Sequence, residues 1–332
     1  MEINNEKAIV ITGGSGFIGS NVSRLFVDSG FNVINIDKKK REIPGVTQYP
    51  FEIDNKQVKG VIELIKPHAV IHIAANNSVP ASVKDPMPTY TDNVLQTISL
   101  LNTCVHAEVP NFIFASSSSV YGTSINEDGS FKESDPTAPI NPYGRTKQIC
   151  EKIIKDYADV YGFNYANLRL FNVAGSNEGK NGYQKDPLVH VLPILAQAGL
   201  LEEKFTINGE DYNTEDGTCV RDYTHVNDVA RAFLSTAYYM FDQKENITVN
   251  IGNSNPVSMK ELVDAVEVAL YRSNGLDTTI DVEYADARPG DMTQTFADIN
   301  SAKTILGWEP TNSIQQIVED EIKWQKTKIK KR

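Results

Sequence analysis

Through the first half of the chain, short and mainly apolar runs alternate with stretches whose apolar positions recur every three to four residues. Residues 8–11, 33–36, 69–74, 111–115 and 165–171 are the runs, and they predict strands. Residues 17–29, 58–65, 93–107 and 143–161 carry the helical period, with Ile18, Val22, Leu25 and Phe26 marking one face of the first. Strands apolar on both faces, separated by amphipathic helices, predict a parallel sheet covered on both sides. That is a doubly wound α/β fold. The pattern loosens after Asn172. Residues 174–187 and 211–221 read as polar loops, 191–201 and 225–241 as helices, and 204–208 as a strand. A strand at 247–251 is expected to return to the sheet, and helices at 258–270, 300–306 and 313–325 close the chain. The expected division is a first domain over 1–172, rejoined by 222–252. A smaller, partly interwoven α/β lobe is expected over 173–221 and 253–332.

At 332 residues there is length for two domains. The 40% hydrophobic and 23% charged content is that of an ordinary globular protein. With 32 basic and 43 acidic residues the net charge is −11, so the balance does not suggest a nucleic-acid partner. Any anionic ligand must meet local positive groups. Cys104, Cys150 and Cys219 form no paired motif, and so sparse a count points to buried thiols in a reducing compartment. No apolar run approaches the roughly 20 residues that span a bilayer. The first seven residues are polar, without a signal-peptide core, and the basic tail 326–332 reads as a frayed end. The expectation is a cytoplasmic protein without a membrane partner.

Residues 11–19, Ile-Thr-Gly-Gly-Ser-Gly-Phe-Ile-Gly, join the first strand to the first helix. Gly13, Gly16 and Gly19 allow a sharp turn, a close backbone approach to a pyrophosphate and tight helix–strand packing, with Phe17 and Ile18 opening the helix. The helix start then offers N–H groups and a positive dipole end to an anion. Glycine suits any tight β–α turn, so context decides. Asp37 ends the second strand 18 residues after Gly19, close to the roughly 20-residue offset of a ribose-binding acid. Together they predict a Rossmann domain binding NAD, because a carboxylate repels a 2′-phosphate. Lys38-Lys39-Lys40-Arg41 follows directly and reads as a solvated basic loop, although NADP is the alternative it would serve.

Tyr143 and Lys147 stand at i and i+4 at the start of a helix, sharing a face. A tyrosine base near neutral pH needs its pKa lowered by about three units, or ~4 kcal/mol. One cation at ~5 Å and an effective dielectric of ~20 supplies ~3 kcal/mol. Lys147 together with an oxidised nicotinamide meets that need, and Lys147 alone does not. Such a pair also arises by chance in helices. Ser116-Ser117-Ser118-Ser119 directly follows a strand, at the sheet edge where ligands bind in this architecture.

With these motifs, the block Thr214-Glu215-Asp216-Gly217-Thr218-Cys219-Val220-Arg221-Asp222-Tyr223-Thr224-His225-Val226 is similar to the UDP-glucose 4-epimerases of the extended short-chain dehydrogenase/reductase family. Leu168-Arg169-Leu170-Phe171-Asn172, Ala287-Arg288-Pro289-Gly290-Asp291 and Leu306-Gly307-Trp308 extend the resemblance over about residues 8–325. It implies Tyr143 as base, Lys147 as its tuning partner and Ser117 beside the sugar 4-hydroxyl. It implies Asp37 at the adenosine ribose, Asp54 at the adenine and Asn93 on the cofactor side of the cleft. Asn172 would hold the UDP-sugar, Arg221 and Arg288 its diphosphate, and Asp291 its uridine ribose. The implied reaction is inversion at C4 through a 4-keto sugar, with no net redox change. A homodimer through helices 93–107 and 143–161 is also implied, with Leu100, Leu101, Ile149 and Ile153 apolar there, although core packing explains those four equally well.

Three positions depart from the commonest pattern in this resemblance. Leu170 and Asn77 stand where many such enzymes have tyrosine and lysine. Thr295 falls at the sugar-pocket gate, where a tyrosine restricts substrates to unmodified hexoses. Its smaller side chain leads us to expect UDP-N-acetylglucosamine and UDP-N-acetylgalactosamine as further substrates. A dehydratase or decarboxylase would carry acids near Ser118 and Ser119, where this chain has hydroxyls. A UDP-glucuronate 4-epimerase and a non-catalytic cofactor-binding regulator remain alternatives.

Overall fold

A computed structural model describes residues 8–126, 128–184, 188–275, 279–288 and 291–330. The polar N-terminal segment, the last two residues of the basic tail, residues 185–187 of the expected loop, and Pro289 and Gly290 lie outside the described residues.

The strands of the first half are β1 (Ala8–Thr12), β2 (Asn32–Ile36), β3 (Val46–Tyr49), β4 (Ala69–His72), β5 (Asn111–Ser117), the two-residue β6 (Ser130–Phe131), β7 (Asn164–Leu170) and β8 (Asn172–Ala174). Its helices are α1 (Phe17–Asp28), α2 (Lys56–Ile65), α3 (Val79–Lys84), α4 (Pro86–Tyr90), α5 (Gln96–His106) and α6 (Pro142–Tyr161). The second half adds α7 (Val191–Leu201), β9 (Phe205–Asn208), β10 (Val220–His225), α8 (Val226–Gln243), β11 (Ile247–Ile251) and β12 (Pro256–Ser258). It ends with α9 (Met259–Asn274), β13 (Val282–Ala285), β14 (Gln294–Ala297), α10 (Asn300–Leu306) and α11 (Ile314–Ile329).

Seven of these strands form one parallel sheet in the order β11-β7-β5-β4-β1-β2-β3. Successive side chains of a strand alternate between faces, and the core divides accordingly. Ile9, Ile11, Ile113 and Ala115 pack with Val22 and Phe26 of α1 and Val229 and Phe233 of α8. Ala8, Val10, Phe112 and Phe114 pack with Ile62 of α2, Leu100 and Leu101 of α5, and Ile154 of α6. The chain reverses its direction of strand addition between β1 and β4, which opens a ligand crevice at their carboxyl ends. The predicted helix at 93–107 begins instead as a π turn at Thr91–Leu95 and becomes α-helical in α5.

The second half is built around α7, α9 and α11, whose Leu195, Leu262, Val266 and Ile317 share a separate core. A second sheet, β12-β10-β14-β6, joins it to the first half. Its centre is β10, where a polar loop and the start of a helix were expected. Asp222 and His225 are buried there with partners of their own. Asp222 accepts from the backbone N–H groups of Asn253 (2.6 Å), Ser254 (3.0 Å) and Ala297 (3.1 Å). His225 caps α8 by accepting from Asn227 N. In α8, Asp228 binds the 311–312 backbone N–H groups, and the Trp308 indole donates to its carbonyl at 2.9 Å.

At the end of β4, buried His72 links β1 to α5. Thr97 donates to the Asn93 carbonyl, so His72 Nε2 donates to Thr97 Oγ1 (2.9 Å) and Nδ1 accepts from Thr12 Oγ1 (2.6 Å). Burial, and secondarily the Lys147 charge, lower its pKa to about 3. The unfolded chain takes up this proton below pH ~6.5 and the folded chain does not. The associated stability is therefore present above pH ~6.5 and is lost as pH falls towards 3. Urea unfolding is expected to show about 2 kcal/mol of loss from this group between pH 7 and 5, at ~1.4 kcal/mol per unit. His72→Gln should be less stable at pH 7 but lack that part of the slope. An unchanged slope in the variant would show that His72 is not the titrating group.

Candidate active site

The glycine turn is fixed by its own packing. Gly13 has φ +74°, and a Cβ there would lie 2.6 Å from Ala74 N. A Cβ on Gly19 would lie 2.1 Å from Gly13 O, so the helix meets the turn only where side chains are absent. Gly16 caps α1 without a side-chain bond, and no acid occupies the first turn begun by Phe17 and Ile18. That leaves the dipole end unneutralised by the chain itself. Asp37 stands beside the turn, accepting from Ser15 N at 3.0 Å and Lys39 N at 2.8 Å. These residues fit an adenosine dinucleotide, with donors for its phosphates and a fixed carboxylate for ribose hydroxyls.

The basic loop after Asp37 is not uniformly solvated. Lys38, Lys39 and Lys40 are exposed, but Arg41 is half-buried, donating to Ser20 Oγ (2.9 Å) and Asn181 Oδ1. Its guanidinium is thereby engaged with α1 and the 175–184 loop. Asp54 is exposed beyond β3, one residue before the Asn55 cap of α2.

Tyr143 is placed by the sequence Asn141-Pro142-Tyr143-Gly144. Asn141 caps α6 by accepting from Gly144 N at 2.8 Å, and Pro142 opens the helix. A Cβ on Gly144 would lie 2.2 Å from Ser119 O, so this glycine lets the first turn rest on the serine loop. The Tyr143 hydroxyl thereby bonds Ser117, which is 8% exposed at the end of β5. Burial pushes Tyr143 up to about 12, and the Ser117 bond pulls the other way.

Lys147 lies one turn further on, buried. Its ammonium donates to Ala115 O at 2.7 Å and sits 4.6 Å from the centre of the Phe114 ring. Burial lowers its pKa to about 8, against the raising effects of Cys150 and Glu151. The sequence expectation gave Lys147 the task of tuning Tyr143 and, with Tyr143, a place at the cofactor; here it also ties α6 to β5.

Asn93 lies in the π turn, buried. Its amide accepts from Asn76 N (2.7 Å) and donates to Asn76 O (3.1 Å) and Thr146 Oγ1 (2.9 Å). Both amide N–H bonds are therefore used in holding the loop after β4 against α6.

In the second half, Arg221 on β10 forms an ion pair with Asp291 and donates to Val220 O at 2.8 Å. Burial alone would lower the Arg221 pKa, but Asp291 and other neighbours raise it. Arg288 is exposed, its carbonyl bonded to Asp291 N at 3.1 Å. Thr295 of β14 pairs in register with Arg221 and is buried, its hydroxyl 3.8 Å from the Met292 sulfur. Asn172 is exposed in β8. The structure thus joins Tyr143, Ser117 and Lys147 in one cluster, and Arg221, Asp291 and Thr295 in another. Sequence reasoning missed Glu151 and Arg169, a buried ion pair behind Lys147. Their signal was available, since Glu151 continues the Tyr143–Lys147 spacing by four residues.

Among the described residues no helix is long and apolar enough to cross a membrane, and no cluster of three or more potential metal ligands occurs. The family profile described as GDP-mannose 4,6 dehydratase matches residues 10–321. A UDP-glucose 4-epimerase of Rhizobium meliloti (strain 1021) is 36% identical over 331 residues, covering 98% of each chain. The solved UDP-glucose 4-epimerase of Stenotrophomonas maltophila, with bound NAD and formylated UDP-arabinopyranose, superposes with a TM-score of 0.91 at 28% identity, covering 98% of this chain and 100% of its own. A UDP-Glc/GlcNAc 4-epimerase of Campylobacter jejuni gives a TM-score of 0.81 at 29% identity, over 97% of this chain and 99% of its own. With the glycine turn, the Tyr143–Ser117 contact and near full-length similarity in hand, the chain belongs to the UDP-glucose 4-epimerases of the extended short-chain dehydrogenase/reductase family.

Proposed function

We infer that this protein is an NAD-dependent isomerase that interconverts UDP-glucose and UDP-galactose through a transient 4-keto sugar. The carrying observation is the hydrogen-bonded Tyr143 and Ser117 at the carboxyl end of the sheet, with a buried Lys147 beside them. The Stenotrophomonas relative, with its NAD and UDP-sugar, supports the same pairing of ligands. The matched profile bears a dehydratase name, but Ser118 and Ser119 leave this chain without an acid for elimination at that segment.

In this reading residues 1–172 and 222–252 hold the cofactor, and 173–221 with 253–332 hold the UDP-sugar. Gly13, Gly16 and Gly19 shape the phosphate turn, Phe17 and Ile18 its helix start, and Asp37 and Asp54 the adenosine end. Asn93 acts from behind, through the Asn76 backbone and Thr146. Arg221 and Arg288 hold the diphosphate, Asp291 the uridine ribose and Asn172 the sugar side. The glycine turn and Asp37 would hold NAD, which would supply a reversible hydride acceptor for C4. Tyr143 takes the 4-hydroxyl proton and gives it back, while Ser117 orients that hydroxyl. Lys147 places a positive charge beneath the developing phenolate. Remote binding of UDP lets the sugar turn over between the two half-reactions.

Thr295 widens the sugar pocket enough for an N-acetyl group, so UDP-N-acetylgalactosamine is a second substrate. Outer faces of α5 and α6 form a homodimer, in which Leu95 at 60% and Val160 at 74% exposure are available. Leu100 and Leu101 take no part, since both are fully buried in the core. The buried free thiols Cys104, Cys150 and Cys219 suit the cytoplasm.

Purified protein is expected to convert both UDP-galactose and UDP-N-acetylgalactosamine, with products resolved by NMR. Absence of turnover on any UDP-hexose, with NAD supplied, would overturn the isomerase reading. Tyr143→Phe should lower kcat by about 10³-fold, the scale of a lost general base, with little change in UDP affinity by calorimetry. Thr295→Tyr should lower kcat/KM for the N-acetyl sugar by about tenfold or more and leave UDP-galactose within about threefold. Equal effects on both sugars would remove Thr295 from the gate. Light scattering of purified protein should give twice the chain mass, and Leu95→Glu should halve it; a monomeric wild type would dismiss the dimer.

A further inference from the structure

Three residues of α6, spaced four apart, grip three consecutive residues of β5. Tyr143 bonds the Ser117 side chain, Lys147 the Ala115 carbonyl, and Glu151 receives the Ser116 hydroxyl. The first two contacts belong to the chemistry inferred above. The third does not, and it is the most costly to build. Glu151 and Arg169 are only 9% and 8% exposed at their side chains. They pair through two bonds, Arg169 Nε to Oε1 at 3.0 Å and Nη2 to Oε2 at 2.8 Å. Burying such a pair gains little stability over an apolar pair of similar volume. Its geometry is nevertheless closely specified. Arg169 lies on β7 in register with Ser116, donates to Tyr121 Oη at 3.0 Å and Glu133 O at 3.3 Å, and stacks 4.8 Å from the Tyr121 ring centre. The Tyr121 hydroxyl in turn donates to Asn250 of β11 at 2.6 Å.

We propose that Glu151 and Arg169 are positioning residues for the epimerase reaction: through Ser116 they fix the end of β5 so that Ser117 meets Tyr143, and they set the field around the Lys147 ammonium. The proposal rests on the epimerase reading only for its kinetic arm. Two links carry it. The first is mechanical. Ser116 and Ser117 are adjacent, so a strand end held at Ser116 cannot rotate Ser117 away from Tyr143. The second is electrostatic. Glu151 stands one turn beyond Lys147 and favours its charged form, opposing burial. Other groups bear on this neighbourhood from each packed element. Lys147 bears on His72 of β4, the Cys150 thiol acts on Lys147, Arg169 and Tyr165 act with Glu151, and Tyr121 and the Glu133 carbonyl contact Arg169. Arg169 pairs with the carboxylate through both oxygens, and Oε1 also receives the Ser116 hydroxyl, so the pair is anchored on the end of β5.

Two variants separate the links. Ser116→Ala removes one hydrogen bond and leaves the ion pair whole. Glu151→Gln retains a shape able to accept from Ser116 but removes the charge. Purified full-length proteins labelled with 13C-lysine would be titrated by NMR, with the Lys147 signal assigned through Lys147→Arg. The Lys147 midpoint is expected near 8 in wild type, lower by about one unit in Glu151→Gln, and unchanged in Ser116→Ala. Turnover of UDP-galactose should fall about tenfold in kcat for Ser116→Ala with KM within about twofold. The alkaline limb of its pH profile should stay in place, and that of Glu151→Gln should move down with the NMR midpoint. A Lys147 midpoint that is the same in Glu151→Gln and wild type overturns the electrostatic link, whether or not the protein turns over sugar. Wild-type kcat in Ser116→Ala overturns the mechanical one. Wild type inactive on every UDP-hexose, with a shifted Lys147 midpoint in Glu151→Gln, would fault the epimerase reading and leave the field effect standing. Where Glu151→Gln unfolds, Arg169→Lys serves: it keeps the charge, loses the two-bond fork, and should lower kcat without moving the alkaline limb.

Discussion

A single buried carboxylate joins the two halves of this molecule. Asp222 gathers backbone donors from the segment after β11 and from β14, while its own strand carries Arg221 next to it. β11 is the edge of the seven-stranded sheet beside β7, and β14 carries Thr295. One side chain therefore holds the sheet that presents Ser117 and the strand pair that presents Arg221 and Thr295 in a common frame. Gly252 makes this possible, because a Cβ there would lie 2.5 Å from the Asp222 carboxylate. Burial raises the Asp222 pKa to about 6 even though three backbone donors oppose the shift. A junction of this kind specifies geometry more than it adds stability, since satisfying the donors mainly offsets the cost of desolvating the charge.

The parts of the fold that were legible in the sequence are those in which one physical rule dominates. Strands buried on both faces favour apolar residues on both sides, so β1, β2, β4, β5 and β7 stand out as mainly apolar runs. The strand β10 was hidden because Arg221, Asp222, Thr224 and His225 read as solvated, yet Arg221, Asp222 and His225 find partners specific to this fold and Thr224 is fully buried. The edge strand β3 and the short β6, β8, β12 and β14 were hidden for a related reason. Each gains its pairing from distant segments, and two to four residues hold too little pattern to reveal it.

The candidate site divides in the same way. Tyr143, Lys147 and Ser117 were legible as a candidate cluster because local spacing and strand-end position are enough to bring them together. The engagement of Arg41 with Asn181 was not, because it depends on a loop 140 residues away in sequence. The indirect role of Asn93 was hidden too. An asparagine that contacts a ligand and one that braces a loop look alike until the partners of its amide are known. Gly144 escaped notice for the opposite reason: its function is to be small beneath Ser119, and an absent side chain leaves no chemical signature.

The electrostatics of the cluster explain why the same residues can be inert alone and reactive in company. Burial raises Tyr143 to about 12 and lowers Lys147 to about 8. Both shifts favour the neutral side chains, which is the direction desolvation always takes. A tyrosine base needs the reverse, and neither Ser117 nor Lys147 suffices in this arrangement. The remaining shift must come from charge that arrives with the ligands, so proton removal is coupled to a filled site. The buried Glu151 favours the charged form of Lys147 against burial while remaining paired with Arg169.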